Sequence, residues 1–364
     1  MSRHAIIEAG SATVAAFGAE VSYRYAIMYF KQDGTHLGSI SIEPDFQAAK
    51  DCTYFAGMRD GRLPAVTAAA HGSVSPVWSE ERGAPYCRGV RVDTTEVDGN
   101  GETVSCEFPK SYFKSDAEKG SLQWIENGEL QPDERYGYFL CAYPIAGEAA
   151  ATNTNRDETA ASGAFQIEAV LDRIPLEESQ LDSFRNRATA KGEQTEGDVP
   201  VFFAQTVIDE ACALATEAGK SETGGVLVGR LHHDAAKPEL FIEVVAQIPA
   251  KYAEATGTSF EFTPETWAAA DAAIELRGRD ELIIGWWHSH PRFCNPECPE
   301  ERRKACPLAT SFFSAEDVHL HHVCFSQPYQ VALLISELPD TGSTPAVFGW
   351  RAGTVSTRGY YAVS

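Results

Sequence analysis

The chain has 364 residues, of which 43% are apolar and 23% charged, and its formal net charge is −22. That length leans towards two domains, and the composition is that of an ordinary globular protein, which excludes disorder of the chain as a whole. So acidic a surface repels phosphates and argues against a nucleic-acid partner. No apolar run approaches the ~18 residues that a membrane-spanning helix needs, so no membrane partner is expected. The N-terminal stretch is interrupted by Glu8 and Gly10 and does not read as a secretion signal. With an odd number of cysteines, nine in all, the expectation is reduced thiols and a cytoplasmic protein.

Residues 1–190 read as a β-rich domain. Tyr23–Phe30, Thr103–Phe108 and Tyr136–Tyr143 are dense in aromatic and β-branched residues and are separated by turn signals such as QDGT and ENGE. Asp45–Met58 is expected to be a helix. His71, Cys87 and Cys106 are isolated and read as structural. Two polar stretches, 146–164 and 187–200, lack helical or strand periodicity and read as loops or linkers. The second is taken as the domain boundary, and the segment between them is assigned to the first domain. No catalytic motif is found before it, so substrate or partner recognition is the role expected of residues 1–190.

Residues 200–364 alternate helix and strand. Gln205–Ala218 sets Val207, Ala211, Leu214 and Ala218 on one helical face. Gly225–Gly229 and Leu240–Ile248 read as strands. Thr263 is placed to cap a helix that starts at Pro264 and turns Trp267, Ala270 and Ile274 inward. Leu282–Trp287 is continuously apolar, as a strand buried on both faces should be. Val331–Ser336 and Val347–Arg351 complete the set. The fold class expected is α+β, a mixed sheet flanked by helices after a β-rich N-terminal part.

The apolar strand runs directly into His288-Ser289-His290-Pro291. Residues two apart in an extended chain point the same way, so both imidazoles can face one metal ion, and Pro291 ends the strand. Ser314-Ala315-Glu316-Asp317 opens the next helix, and Asp317 offers a third ligand through oxygen. A His, His, carboxylate set leaves one tetrahedral position for water, as catalytic zinc requires. Glu222 precedes Gly224 and Gly225, which let the backbone approach closely, and its carboxylate is the candidate base for a zinc-bound water. Taken alone, the Ser314–Asp317 spacing also fits a variant of the helix capping box.

In this order, Glu222 within ETGGVLVG, then HSHP at 288–291, then Ser-x-x-Asp at 314–317 resembles the JAMM signature of the JAB/MPN superfamily. The resemblance covers roughly residues 200–350. It implies that His288, His290 and Asp317 hold zinc, that Glu222 is the general base and acid, and that Ser314 donates to the oxyanion. It also implies a peptidase or isopeptidase that cleaves after the C-terminus of ubiquitin or a ubiquitin-like modifier. The implied partners are ubiquitin-like proteins, their conjugates and components of a conjugation pathway. Two other readings stand beside it: an MPN-type scaffold or binding module, and a peptidase that processes a sulfur carrier.

The chain departs from the pattern in its spacer. Twenty-two residues, Arg292–Phe313, separate HSHP from Ser314, where the family has far fewer, and they include Cys294, Cys298 and Cys306. Three thiols so close suggest a second, structural zinc that braces the insertion. The following helix offers His319, His321, His322 and Cys324 as a fourth ligand. The resemblance to JAMM deubiquitinases whose insertion carries a second zinc favours His319.

Overall fold

A computed structural model describes residues 22–67, 72–79, 86–95, 102–145, 172–251, 254–255, 260–291, 299–304, 310–338 and 341–364. These gather into two compact units. One holds the described residues within 1–44, 78–88 and 116–167, and the other those within 45–77, 89–115 and 168–364. The 146–164 stretch and His71 lie outside the described residues.

In the first unit, Tyr23–Lys31 pairs antiparallel with both His36–Ile42 and Tyr136–Pro144, which realises two of the expected strands. The fully buried Tyr29 donates its hydroxyl to the carbonyl of Ala117, at 3.0 Å, in the helix Lys114–Glu126. The sequence reading did not foresee this helix. It turns Ala117, Ser121 and Trp124 inward at helical spacing and leaves its charged positions except the half-buried Asp116 to solvent.

The second unit is built on a ten-stranded mixed sheet. Its central members are Glu239–Pro249, Gly224–Asp234 (the glutamate strand), Leu282–His290 (the histidine strand), Val331–Leu338 and Gly342–Arg351, in that spatial order. The histidine strand runs antiparallel to the glutamate strand and parallel to Val331–Leu338. The sheet extends outwards to Thr354–Arg358 on one side, and to Val201–Ala204, Tyr360–Val363 and Ala188–Lys191 on the other. Ala188–Lys191 corrects the loop reading of 187–200, because these residues pair antiparallel with Tyr360–Val363. An edge strand bonds through its backbone alone and stays mostly exposed, so no apolar periodicity announces it. Leu176–Glu178 pairs in parallel with the glutamate strand, within the same unit.

Both faces of the sheet are covered, so the α+β class expected from the sequence is the one observed. The helix Gln205–Ala218 packs Val207, Ile208, Ala211 and Ala215 against Leu227, Trp287, Leu333, Ile335 and Val347. Ala215 takes the buried place expected of Leu214, which is only partly covered. The helix Gln47–Arg59 adds Tyr54, Phe55 and Met58 to this core, and the Phe55 and Tyr329 ring centres lie 6.0 Å apart. On the other face, Pro264–Arg277 buries Ala270 against Val226 and Val228, and Thr263 caps it by accepting from the N–H of Thr266. The aspartate helix, Ala315–Cys324, covers the same face, where Trp286, Phe325, Leu334 and Phe348 form the core.

Alternation along the histidine strand divides its side chains. Trp287 joins the core beneath Gln205–Ala218, while Trp286 joins the core on the aspartate-helix face. Gly285 just before them has φ +156°, and an added Cβ would stand 1.8 Å from the backbone oxygen of Val331. Replacing Gly285 with Ala must push two central strands apart. We expect Gly285→Ala to lower stability by ~1–3 kcal/mol in urea unfolding, the usual cost of overpacking. An unchanged midpoint would contradict this close approach.

Candidate active site

The histidine strand extends past its apolar run to His290, so His288 and His290 are strand residues on one face. Gly224 pairs with His288. Next to it, the N–H of Ser289 donates to Thr223 O at 2.8 Å, and the N–H of Thr223 donates to Ser289 Oγ at 3.0 Å. Continuing that register by one residue sets Glu222 opposite His290. Gly224 must be glycine here, because a Cβ would meet the Trp287 carbonyl at 2.4 Å and the Phe260 ring at 2.8 Å. Ser289, between the two histidines of HSHP, therefore clamps the glutamate segment to the strand, a role the sequence reading missed.

Asp317 comes from the aspartate helix. Ser314 is the N-cap, and both halves of a capping box are formed. Asp317 N–H donates to Ser314 Oγ at 3.1 Å, and Ser314 N–H donates to Asp317 Oδ2 at 2.7 Å. The capping reading of this pair thus describes its geometry, and the cap fixes the carboxylate.

The structure brings the three expected ligands together. The Nε2 atoms of His288 and His290 lie 3.1 Å apart, His288 Nε2 is 3.1 Å from Asp317 Oδ1, and His290 Nε2 is 3.3 Å from Asp317 Oδ2. Candidate ligand atoms of these residues all lie within 4.8 Å of one another. Ligands bound to zinc at ~2.0–2.1 Å stand ~3.3 Å apart at the corners of a tetrahedron, so the set fits this ion. All three residues are buried. Two imidazole nitrogens and a carboxylate aimed at one point offer a set of lone pairs that a single cation there would satisfy together.

Burial sets the electrostatics. It pushes Asp317 up, but hydrogen bonds from His288, His290 and the Ser314 N–H overcome it and hold the carboxyl well below the usual range. Burial lowers His288 against the pull of Asp317, which favours the neutral form, the one able to ligate a metal. Glu222 is also buried, and burial pushes it up to about 7, with the positive influence of His290 opposing and Asp317 adding.

Aromatic rings wall the group. Trp286 stacks on His288 with centroids 4.5 Å apart, Phe312 lies 4.9 Å from His290, and Phe313 stacks on Phe348 at 4.4 Å. Phe312 and Phe313 end the insertion, and their adjacency to the histidines was not read from the sequence. Trp286 Nε1 also donates to Nδ1 of His321 at 3.1 Å. His321 follows Asp317 by one helical turn, so this bond fastens the aspartate helix to the histidine strand. Burial holds His321 neutral, with its pKa lowered to about 3. His321 is therefore engaged in the core and is not available as a fourth ligand for the insertion. His319 is exposed on the same helix, while Cys294, Cys298 and Cys306 lie outside the described residues.

Two predictions follow from the Trp286–His321 bond. Trp286→Phe keeps a ring over His288 but strands His321 Nδ1, and should cost ~1–3 kcal/mol in chemical denaturation; a cost below 0.5 kcal/mol, the ~0.5 kcal/mol spread of neutral changes, would contradict it. His321 binds its proton less readily folded than unfolded, so it withdraws stability as pH falls below its ordinary 6.5, down to about 3. His321→Gln should flatten the acid limb of the stability profile between those values, and an equally steep limb would remove His321 from its cause.

Residues 204–295 match the family described as prokaryotic homologs of the JAB domain. The match contains Glu222, His288 and His290 and ends before Ser314 and Asp317. No curated protein matches the chain. Among solved structures, it is similar to the solution structure of protein DSY2949 from Desulfitobacterium hafniense, at 22% identity and a TM-score of 0.29, covering 43% of this chain and 89% of that one. The C-terminal half of the chain carries a domain of the JAB/MPN type.

Proposed function

We propose that the C-terminal half is a zinc-dependent peptidase or isopeptidase that cleaves after the C-terminus of a ubiquitin-like modifier. The observation that carries this reading is the buried His288, His290 and Asp317 group, with ligand atoms at zinc-like spacing and Glu222 alongside. The JAMM-like order of these residues and the JAB family match support the substrate class.

His288, His290 and Asp317 would hold the ion. Zinc bound there would polarise the scissile carbonyl and make water acidic enough to ionise near neutral pH. Glu222, with its affinity for protons raised by burial, accepts the proton of the attacking water and returns it to the leaving amine. Ser314 accepts the Asp317 N–H in the cap, which leaves its own hydroxyl hydrogen to donate to the oxyanion, so capping and catalysis are compatible in one side chain. The aromatic wall of Trp286, Phe312 and Phe313 limits water around the reacting atoms. Ser289 holds Glu222 in place through Thr223. Residues 1–190, whose sequence carries no catalytic motif, would serve to recognise the modifier, its target or a conjugation partner.

The test is release of a lysine-containing peptide from the C-terminus of a ubiquitin-like protein, followed by intact mass. Wild type should release it and chelator-treated protein should not. Glu222→Gln should keep zinc by metal analysis and lose ~10²–10⁴-fold in turnover. Ser314→Ala should lose up to ~10²–10³-fold. Turnover by Glu222→Gln at the wild-type rate would overturn the assignment of the base. Turnover after complete removal of metal would overturn the assignment of the ion.

A further inference from the structure

On the opposite face of the sheet from His288, a cavity of about 480 Å³ opens beside the first turn of the helix Gln205–Ala218. That volume is within the ~300–1,000 Å³ range of small-molecule sites. Among the described residues its lining includes Lys191, Gln205, Ile208, Val347, Arg358 and Tyr360, and no carboxylate lines it.

Arg358 is the unusual member. It is only 4% exposed. Its Nη2 donates to the carbonyl of Val199, while Nε and Nη1 are buried without a partner. The carboxylate nearest in influence, Asp198, is taken up by a bidentate pair with Arg351. A buried guanidinium with idle donors is costly unless an acceptor completes it. Lys191 brings a second cation to the same cavity.

The helix end adds an independent observation. Ala204 is the N-cap and makes no side-chain cap, and the first turn holds no acidic residue. Gln205 and Ile208 of that turn line the cavity, and the Gln205 amide is directed to Asp209 instead of to the turn's N–H groups. The free N–H groups of a helix start favour an anion. Uncompensated positive character in a concavity stands out in a chain of net charge −22.

We propose that this cavity binds a small organic anion whose carboxylate or phosphate head meets Arg358, Lys191 and the start of Gln205–Ala218, with a short apolar body against Ile208 and Val347. The site is separate from the metal group, because Val347 and Ile208 belong to the core under Gln205–Ala218, with Trp287, whereas His288 faces the aspartate helix. It does not depend on the peptidase reading.

The experiment is calorimetric titration of the full chain with inorganic phosphate, hexanoate, hexyl phosphate and hexylamine. Hexanoate or hexyl phosphate should bind at millimolar or lower concentration and hexylamine should not, and which of the two binds tighter identifies the head group. Arg358→Gln should weaken binding ~10–100-fold, as expected for a charge-assisted hydrogen bond in a buried setting. If that variant fails to fold, the exposed Lys191→Glu reports instead, with a loss of at least ~5-fold expected from reversing a charge at the site. Binding of hexylamine as tightly as hexanoate, absence of binding by both hexyl anions, or unchanged affinity in Lys191→Glu would each overturn the proposal.

Discussion

The backbone pairing of Leu282–His290 between Gly224–Asp234 and Val331–Leu338 carries the site. Three adjacent strands are covered on both faces, so the register between them has no freedom to slip. Register puts Gly224 opposite His288, and the Thr223–Ser289 bonds carry it on to Glu222 and His290. A change of one residue would turn both imidazoles towards the helix Gln205–Ala218 and abolish the group. The candidate ligand from outside these strands, Asp317, is held by two devices: its capping box with Ser314 and, one turn further, the His321–Trp286 bond.

Burial gives this arrangement its chemical character. Asp317 and Glu222 are both buried carboxylates in one neighbourhood, yet their proton affinities diverge. Asp317 is surrounded by donors and stays ionised, suited to a cation. Glu222 is dominated by desolvation and is poised near neutrality, suited to exchanging protons. Divergent environments for two carboxylates suit one to holding a cation and the other to exchanging protons, the division of roles that the proposed function uses.

Much of the site was legible because its determinants are local. The pair His288 and His290 faces one way as a consequence of strand alternation. LIIGWW is apolar throughout because both of its faces are covered, and Thr263-Pro264 announces a helix start through cap chemistry. What was not legible depends on distant partners. Nothing near Phe312 or Phe313 says that they will meet His290 and Phe348. His321 reads as one of several helical histidines until Trp286 is seen to donate to it. Ser314 showed a cap and a catalytic candidate in the same residue, and the structure realises the cap directly. Ala188–Lys191 lacks any pattern because an exposed edge needs none. Lys114–Glu126 has only Ala117, Ser121 and Trp124 to mark its inner face among charged neighbours.

The central claim is that His288, His290 and Asp317 form one zinc site. Anomalous diffraction at the zinc edge, on crystals of the full chain grown with one equivalent of zinc, tests it directly. The account predicts a peak ~2.0–2.2 Å from both Nε2 atoms and from an Asp317 oxygen, with tetrahedral angles. Absence of a peak there, with the two imidazoles still in hydrogen-bond contact with Asp317 and the metal bound elsewhere, would contradict it.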